Sequence, residues 1–155
     1  MRPEPASGSR LLTIGYQGRS LAGLVRRLRG RDVRLLVDVR EIARSRRPEF
    51  NGARLAQALE HAGIRYQHAP ELGSPSSLRR VLYETGDFER FADLYLAYIR
   101  RWRADDVVGL TRLVQREGTV CILCYESDAT QCHRHIVAAE ALRSRGGRQL
   151  VIEHL

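Results

Sequence analysis

The feature that most constrains this chain is an alternation of short, nearly unbroken apolar runs with longer amphipathic stretches. Residues 35–39 (Leu-Leu-Val-Asp-Val) and 119–124 (Thr-Val-Cys-Ile-Leu-Cys) show no in-out alternation. That pattern marks strands covered on both faces, and such strands belong to parallel sheets. Residues 11–14 form a similar run, stopped by Gly15, and residues 64–68 and 149–153 read as shorter strands. Between them, Ser20 is placed to cap a helix carrying Leu21, Leu24, Val25 and Leu28, closed by Gly30. Asn51 is placed to cap a second helix with Leu55, Ala58, Leu59 and Ala62, ended at Gly63. After a Pro/Gly/Ser-rich loop at 69–77, two helices are predicted, one with Phe88, Phe91, Leu94, Tyr95, Tyr98 and Ile99, the other over 105–115. A last helix runs from about Cys132 to the Gly146-Gly147 stop.

Strand followed by helix, repeated, predicts an α/β domain, because parallel neighbours need crossover connections. We expect about five strands, mainly parallel, flanked by helices. A length of 155 residues suits a single domain, here over 11–155, with 1–10 as a flexible N-terminal leader. With 43% hydrophobic and 28% charged residues, the composition is that of an ordinary globule rather than a disordered or collagen-like chain. No apolar run approaches the roughly 20 residues needed to cross a bilayer. The first residues lack the apolar stretch of a secretory signal, so the expectation is a cytoplasmic protein with no membrane partner. Three cysteines do not make a disulfide scaffold, which leaves them as thiols, metal ligands or buried apolar residues.

The formal charge is +8, and all 26 basic residues are Arg. Arg favours two-point pairing with phosphate and carboxylate, while the total absence of Lys points to a coding bias that weakens net charge as a functional signal. The local cluster Arg40, Arg44, Arg46 and Arg47, within one loop, carries more weight.

In open α/β sheets the ligand crevice lies outside the carboxyl ends of the strands. Tyr16 follows the first strand; Asp38, Arg40, Ser45 and Arg46 close and follow the second; His68 and Glu71 follow the third. After the fourth come Cys124, Tyr125, Glu126, Cys132, His133 and Arg134. A helix starting near Cys132 would offer free backbone N–H groups to an oxyanion and acidify a thiol there. Cys132 is therefore the preferred thiolate candidate, the alternative being an inert thiol near a helix cap. Zinc ligation by Cys124, Cys132, His133 and His135 fits the spacing poorly. Seven residues separate the two cysteines, and adjacent helical residues point in different directions. No metal or cofactor is expected. Asp38 and Arg40 lie on one side of an extended chain, as a structural ion pair or, with Glu126, as one of two carboxylates over a common pocket.

Several short segments together resemble a known family: Thr13-Ile14-Gly15-Tyr16, Leu36-Val37-Asp38-Val39-Arg40, Ser45-Arg46, Phe50-Asn51, Gly63-Ile64-Arg65-Tyr66, Leu72-Gly73, Leu123-Cys124-Tyr125-Glu126 and Cys132-His133-Arg134. The combination is similar to the domain of unknown function 488 family from about Leu11 onward, with a departure at Tyr16-Gln17, where many relatives carry His-Ser. The resemblance implies a compact α/β domain and marks Asp38, Arg40, Ser45, Arg46, Glu126, Cys132, His133 and Arg134 as motif positions, without implying a reaction. The 38–40 strand end is also similar to that of rhodaneses, whose thiol-cradling loop is shorter than the one after Cys124.

The resulting expectation is an enzyme acting on a phosphate-bearing substrate, a nucleotide or nucleic acid, by hydrolysis or group transfer. Asp38 and Glu126 would do acid–base or nucleophilic work. Arg40, Arg46 and Arg134 would hold the anion, with Tyr16, Ser45 and His133 beside it. The alternatives are thiol redox or sulfur-transfer chemistry at Cys132 with Cys124 as partner, and a noncatalytic nucleic-acid-binding module.

Overall fold

The computed structural model describes residues 8–144 and 146–155. Five strands, β1 (Arg10–Gly15), β2 (Leu35–Asp38), β3 (Arg65–His68), β4 (Thr119–Cys124) and β5 (Val151–His154), form one sheet in the order β3-β2-β4-β1-β5. Every neighbouring pair is parallel, so the chain is an all-parallel α/β domain. Most of the expected leader, residues 1–7, lies outside the described residues. Arg10, at its end, already pairs with Thr119 and Val151 in the sheet.

Alternate strand residues feed two apolar layers. Leu12, Ile14, Leu36, Cys121 and Leu123 face α1 (Leu21–Arg29) and α2 (Gly52–His61), meeting Leu24, Leu28, Leu55 and Leu59. Leu11, Leu35, Val37, Val120 and Ile122 pack against the other layer, which includes α4 (Phe88–Trp102), α5 (Ala104–Glu117) and α6 (His133–Arg143). The α1 helix begins as expected: the Ser20 hydroxyl accepts from the Gly23 N–H at 3.0 Å. Asn51 occupies the cap position of α2, but its side chain instead accepts from Ser45 N at 2.8 Å, holding the loop before it.

A helix appears where sequence reading placed part of a loop and a connection: α3 (Ser76–Thr85), started by Pro75 and stopped by left-handed Gly86 (φ 67°). None of its residues is fully buried. Its apolar residues Leu78, Val81 and Leu82 recur at helical spacing, and Leu78 and Leu82 rest on the core edge.

The connections give the sheet its crevice. From β1 the chain crosses over β4 to reach β2, whereas from β4 it crosses over β1 to reach β5. The loop after β2, which leads away to β3, and the loop after β4 leave adjacent strands in opposite directions, which opens a gap beside the paired ends Asp38 and Leu123. The ends of β2 and β3 align beside it, with Asp38 paired to Leu123 on one side and His68 on the other.

Burial predicts where stability resides. Leu36, fully buried on the central strand β2, should cost about 3 kcal/mol or more on replacement by Ala. Val151 on the edge strand, 53% exposed, should cost less than about 0.5 kcal/mol. Urea unfolding of the two variants measures the contrast.

Candidate functional site

Gly15 is the hinge of the site. A Cβ there would overlap the carbonyl oxygen of Glu126 and crowd the Arg134 guanidinium, so only glycine lets the β4–α6 loop fold down onto the end of β1. Two backbone bonds fix the approach, Tyr16 N–H to Cys124 O at 3.2 Å and Gln17 N–H to Tyr125 O at 2.8 Å. The Gln17 side chain adds a third link, accepting from Ser127 N at 3.0 Å.

Arg134 secures the same loop from beneath. Its side chain is fully buried. It donates to Thr13 Oγ1 (3.2 Å), to the Glu126 and Ser127 carbonyls, and through Nη1 to Cys124 Sγ (3.4 Å). No carboxylate among the described residues forms a salt bridge with it. Desolvation disfavours the charge and lowers its pKa, an effect opposed first by Glu126.

Asp38 is also fully buried, and its carboxylate is fully engaged. Oδ1 accepts from Arg40 N (3.1 Å) and Nε (2.9 Å), and Oδ2 from Arg40 Nη2 (2.6 Å) and Tyr66 OH (2.6 Å). Desolvation works against the Arg40 charge, but the bonds and charge of Asp38 outweigh it and hold the guanidinium firmly protonated. Burial, then the hydrogen bond to Asp38, raises the Tyr66 pKa. Arg40 also donates to Phe50 O at 2.9 Å and sits over the Tyr16 ring, which stacks on Phe50 at 4.6 Å.

Above these anchors lies a cavity of about 270 Å³. Tyr16, Arg40, Arg44 and Arg79 line it together with Cys124, Glu126, Cys132 and His133. Of the expected site residues, the structure thus gathers Tyr16, Arg40, Glu126, Cys132 and His133 around one space. Asp38, Ser45, Arg46 and Arg134 do not line it. Ser45 shapes the loop by accepting from Arg47 N at 3.1 Å, and Arg46 is exposed. Arg44 enters the sequence reading only through the Arg40–Arg47 cluster, and Arg79 does not enter it. Arg79 comes from the unexpected α3, donating to Ser74 O and pairing with Glu41 at 3.3 Å.

The deepest wall of the cavity holds its reactive groups. Cys124 and Cys132 are joined as a disulfide, their Cα atoms 7.6 Å apart, so in this structure Cys132 is not the free thiol expected from the sequence, and Cys121 is the free cysteine among the described residues. The reactive-thiol expectation for Cys132 rested on a helix start, and Cys132 is indeed the residue before α6. The expected divergence of Cys132 and His133 does not occur: Cys132 has extended backbone (φ −138°, ψ 145°), and its Sγ lies 3.8 Å from His133 Nδ1. His133 Nε2 donates to Val39 O at 2.9 Å, which fixes the tautomer and leaves Nδ1 as an acceptor facing the sulfurs. Burial, reinforced by the charges of Arg134 and Arg79 against the Val39 bond, lowers the His133 pKa to about 4, so the ring is neutral at neutral pH. Glu126 Oε2 lies 3.5 Å from Cys124 Sγ. Burial raises its carboxyl pKa, with its own backbone N–H and Arg134 pulling the other way. Cys121 stays apart in the sheet, buried, its thiol pKa pushed up by desolvation.

Fold and site together define an all-parallel α/β domain with an Arg- and Cys-bearing crevice at its topological switch point. Residues 20–141 match the family described as Domain of unknown function DUF488, and the chain belongs to that family. No curated protein and no solved structure gives a significant match. No helix among the described residues is long and apolar enough to cross a membrane.

The closed Asp38 network predicts a structural cost. Asp38→Asn leaves the buried Arg40 charge unpaired and should destabilise the fold by about 3 kcal/mol or more. Tyr66→Phe, which removes one hydrogen bond to the same carboxylate, should cost about 1–2 kcal/mol. Urea denaturation of both variants checks the order; equal stabilities would show that the network contributes little.

Proposed function

We propose that the chain is an enzyme that binds a phosphate-bearing substrate, a nucleotide or a nucleic-acid terminus, in the switch-point cavity and hydrolyses it or transfers a group from it. The observation that carries this reading is the cavity whose lining brings guanidinium groups together with Glu126, Cys132 and His133. Arg44 is the exposed member of that cationic wall and the one suited to capture phosphate oxygens. Arg40 and Arg79, already paired to Asp38 and Glu41, add positive field and shape.

The volume limits the ligand. At about 270 Å³ the cavity lies just below the roughly 300–1,000 Å³ of typical small-molecule sites, which suits one nucleotide unit rather than a length of duplex. Tyr83 and Tyr125 line it while remaining 80% and 48% exposed, and such rings can stack on a base. Glu126 is the group to exchange a proton with the substrate, because burial raises its carboxyl pKa toward the range where acid–base catalysis works. Asp38 serves as a positioning residue that orients Arg40.

Titration of the reduced chain with nucleoside monophosphates and short oligonucleotides at low salt tests this. Arg44→Ala should weaken binding by roughly tenfold or more, the worth of about 1.5–3 kcal/mol for a charged hydrogen bond. Glu126→Gln should bind as before and lose turnover. Absence of binding at low salt would overturn the reading, whereas salt-sensitive oligonucleotide binding with no turnover would point to a noncatalytic module.

The sulfur contact favours a second reading, thiol–disulfide exchange. In it the Cys132 thiolate attacks a substrate disulfide, forms a mixed disulfide and expels one thiolate. The Cys124 thiolate then attacks Cys132 Sγ, releasing the second thiol and leaving the Cys124–Cys132 bond, so two electrons pass from the protein pair to the substrate. Iodoacetamide labelling across pH should then show one thiol alkylated well below the ordinary range near pH 8.5. A profile of ordinary thiol reactivity would remove this chemistry.

A further inference from the structure

We infer that the dithiol form of the chain holds a divalent metal ion of the zinc class through Cys124 Sγ, Cys132 Sγ and His133 Nδ1, with a fourth position open to the cavity. This uses the cavity of the phosphate reading but does not depend on the substrate assigned to it. The three donor atoms lie within 4.8 Å of one another, and all three residues are buried. They come from the end of β4, the residue capping α6 and the first residue of α6, so two rigid elements position them.

The geometry suits such an ion. A tetrahedral centre with Zn–S of about 2.3 Å and Zn–N of about 2.0–2.1 Å has an S···N edge of about 3.6 Å; Cys132 Sγ and His133 Nδ1 are 3.8 Å apart.

The surrounding groups are those a metal site needs. His133 donates Nε2–H to Val39 O, the outer bond that turns the opposite ring nitrogen toward a metal. Arg134 is a fully buried cation with no salt-bridge partner among the described residues, and its Nη1 donates to Cys124 Sγ. A buried cation of this kind calls for an anion beside it, and a metal-bound thiolate at Cys124 supplies one. Three protein ligands with an open fourth position is the arrangement of a site that takes a water or substrate oxygen rather than a closed structural centre. Glu126 Oε2, 3.5 Å from Cys124 Sγ, stands where it can accept a proton from such a water. An ion here would act on a phosphate oxygen as a Lewis acid.

The test uses the full chain, kept reduced with a phosphine and loaded with Zn²⁺ or Co²⁺ alone. The expected result is about one ion per chain surviving gel filtration. The Co²⁺ form should show intense near-ultraviolet thiolate-to-metal bands and the visible absorption of a tetrahedral centre. His133→Gln and Cys132→Ser should lose the ion, and Cys121→Ala, which alters a thiol outside the cluster, should retain it. Since the wild-type spectrum reports thiolate ligation directly, a variant that fails to fold does not decide the matter. Reduced wild-type chain that retains no metal, or a Co²⁺ spectrum without thiolate bands, overturns the inference. Nucleotide titration of the metal-stripped chain runs in parallel: binding there with no metal uptake sinks only the metal site, and metal uptake with no nucleotide binding sinks only the substrate reading.

Discussion

A single buried guanidinium organises the functional end of this molecule. Arg134 is the largest fully buried side chain, and its N–H groups reach one strand hydroxyl, two loop carbonyls and one sulfur. Each bond alone is worth little beyond about 1–3 kcal/mol. Their importance is geometric: they join β1, the end of β4 and the start of α6 beside the cavity. The same bonds satisfy Glu126 and Ser127 carbonyls that would otherwise be left without partners as the loop folds inward. The sulfur cluster therefore sits on a rigid floor rather than on a free loop.

A second buried charge does parallel work on the opposite side. The carboxylate of Asp38 spends its acceptors on Arg40 and Tyr66, tying the end of β2 to β3 and holding Arg40 against Tyr16 and Phe50. The two anchors differ in their compensation. Asp38 and Arg40 neutralise one another, while Arg134, among the described residues, hydrogen-bonds only a hydroxyl, carbonyls and a sulfur, with the carboxylates of Glu126 and Asp128 near it but unbonded. The cavity thus lies between a balanced ion pair and a cation without a salt bridge among the described residues, with Arg44 and Arg79 beside Glu41 and Glu126 in its lining.

The layered architecture was legible because burial on both faces leaves a direct imprint. Unbroken apolar runs marked β1, β2 and β4, and Ser20 marked the start of α1. Less was read of α3, although Leu78, Val81 and Leu82 stand at helical spacing, and its contribution to the cavity, Arg79, looks in sequence like any surface arginine. Arg134 could be placed at a helix start but not turned inward, since its acceptors are mostly backbone carbonyls, which every residue possesses. The meeting of Cys132 and His133 was hidden for a sharper reason. Side-chain divergence between neighbours assumes helical backbone at both, and the extended conformation at Cys132, one residue before α6, breaks that assumption. The Pro/Gly-free segment Thr130-Gln131-Cys132 gives no sign of it.

These features bear on one question, why two thiols should be buried next to a buried cation. Burial alone would favour neutral thiols, as it does for Cys121. At Cys124 the Arg134 N–H instead points at the sulfur, and at Cys132 the first turn of α6 directs its unpaired N–H groups and the positive end of its dipole toward the residue. Both influences favour negative charge on sulfur, while the neutral His133 ring presents a lone pair to the same point. An electron-rich cluster of two sulfurs and one imidazole nitrogen, enclosed by a cationic wall, suits either a two-electron exchange with a substrate disulfide, which makes or breaks the sulfur–sulfur bond, or the sharing of a cation, and the opening toward the cavity leaves room for both.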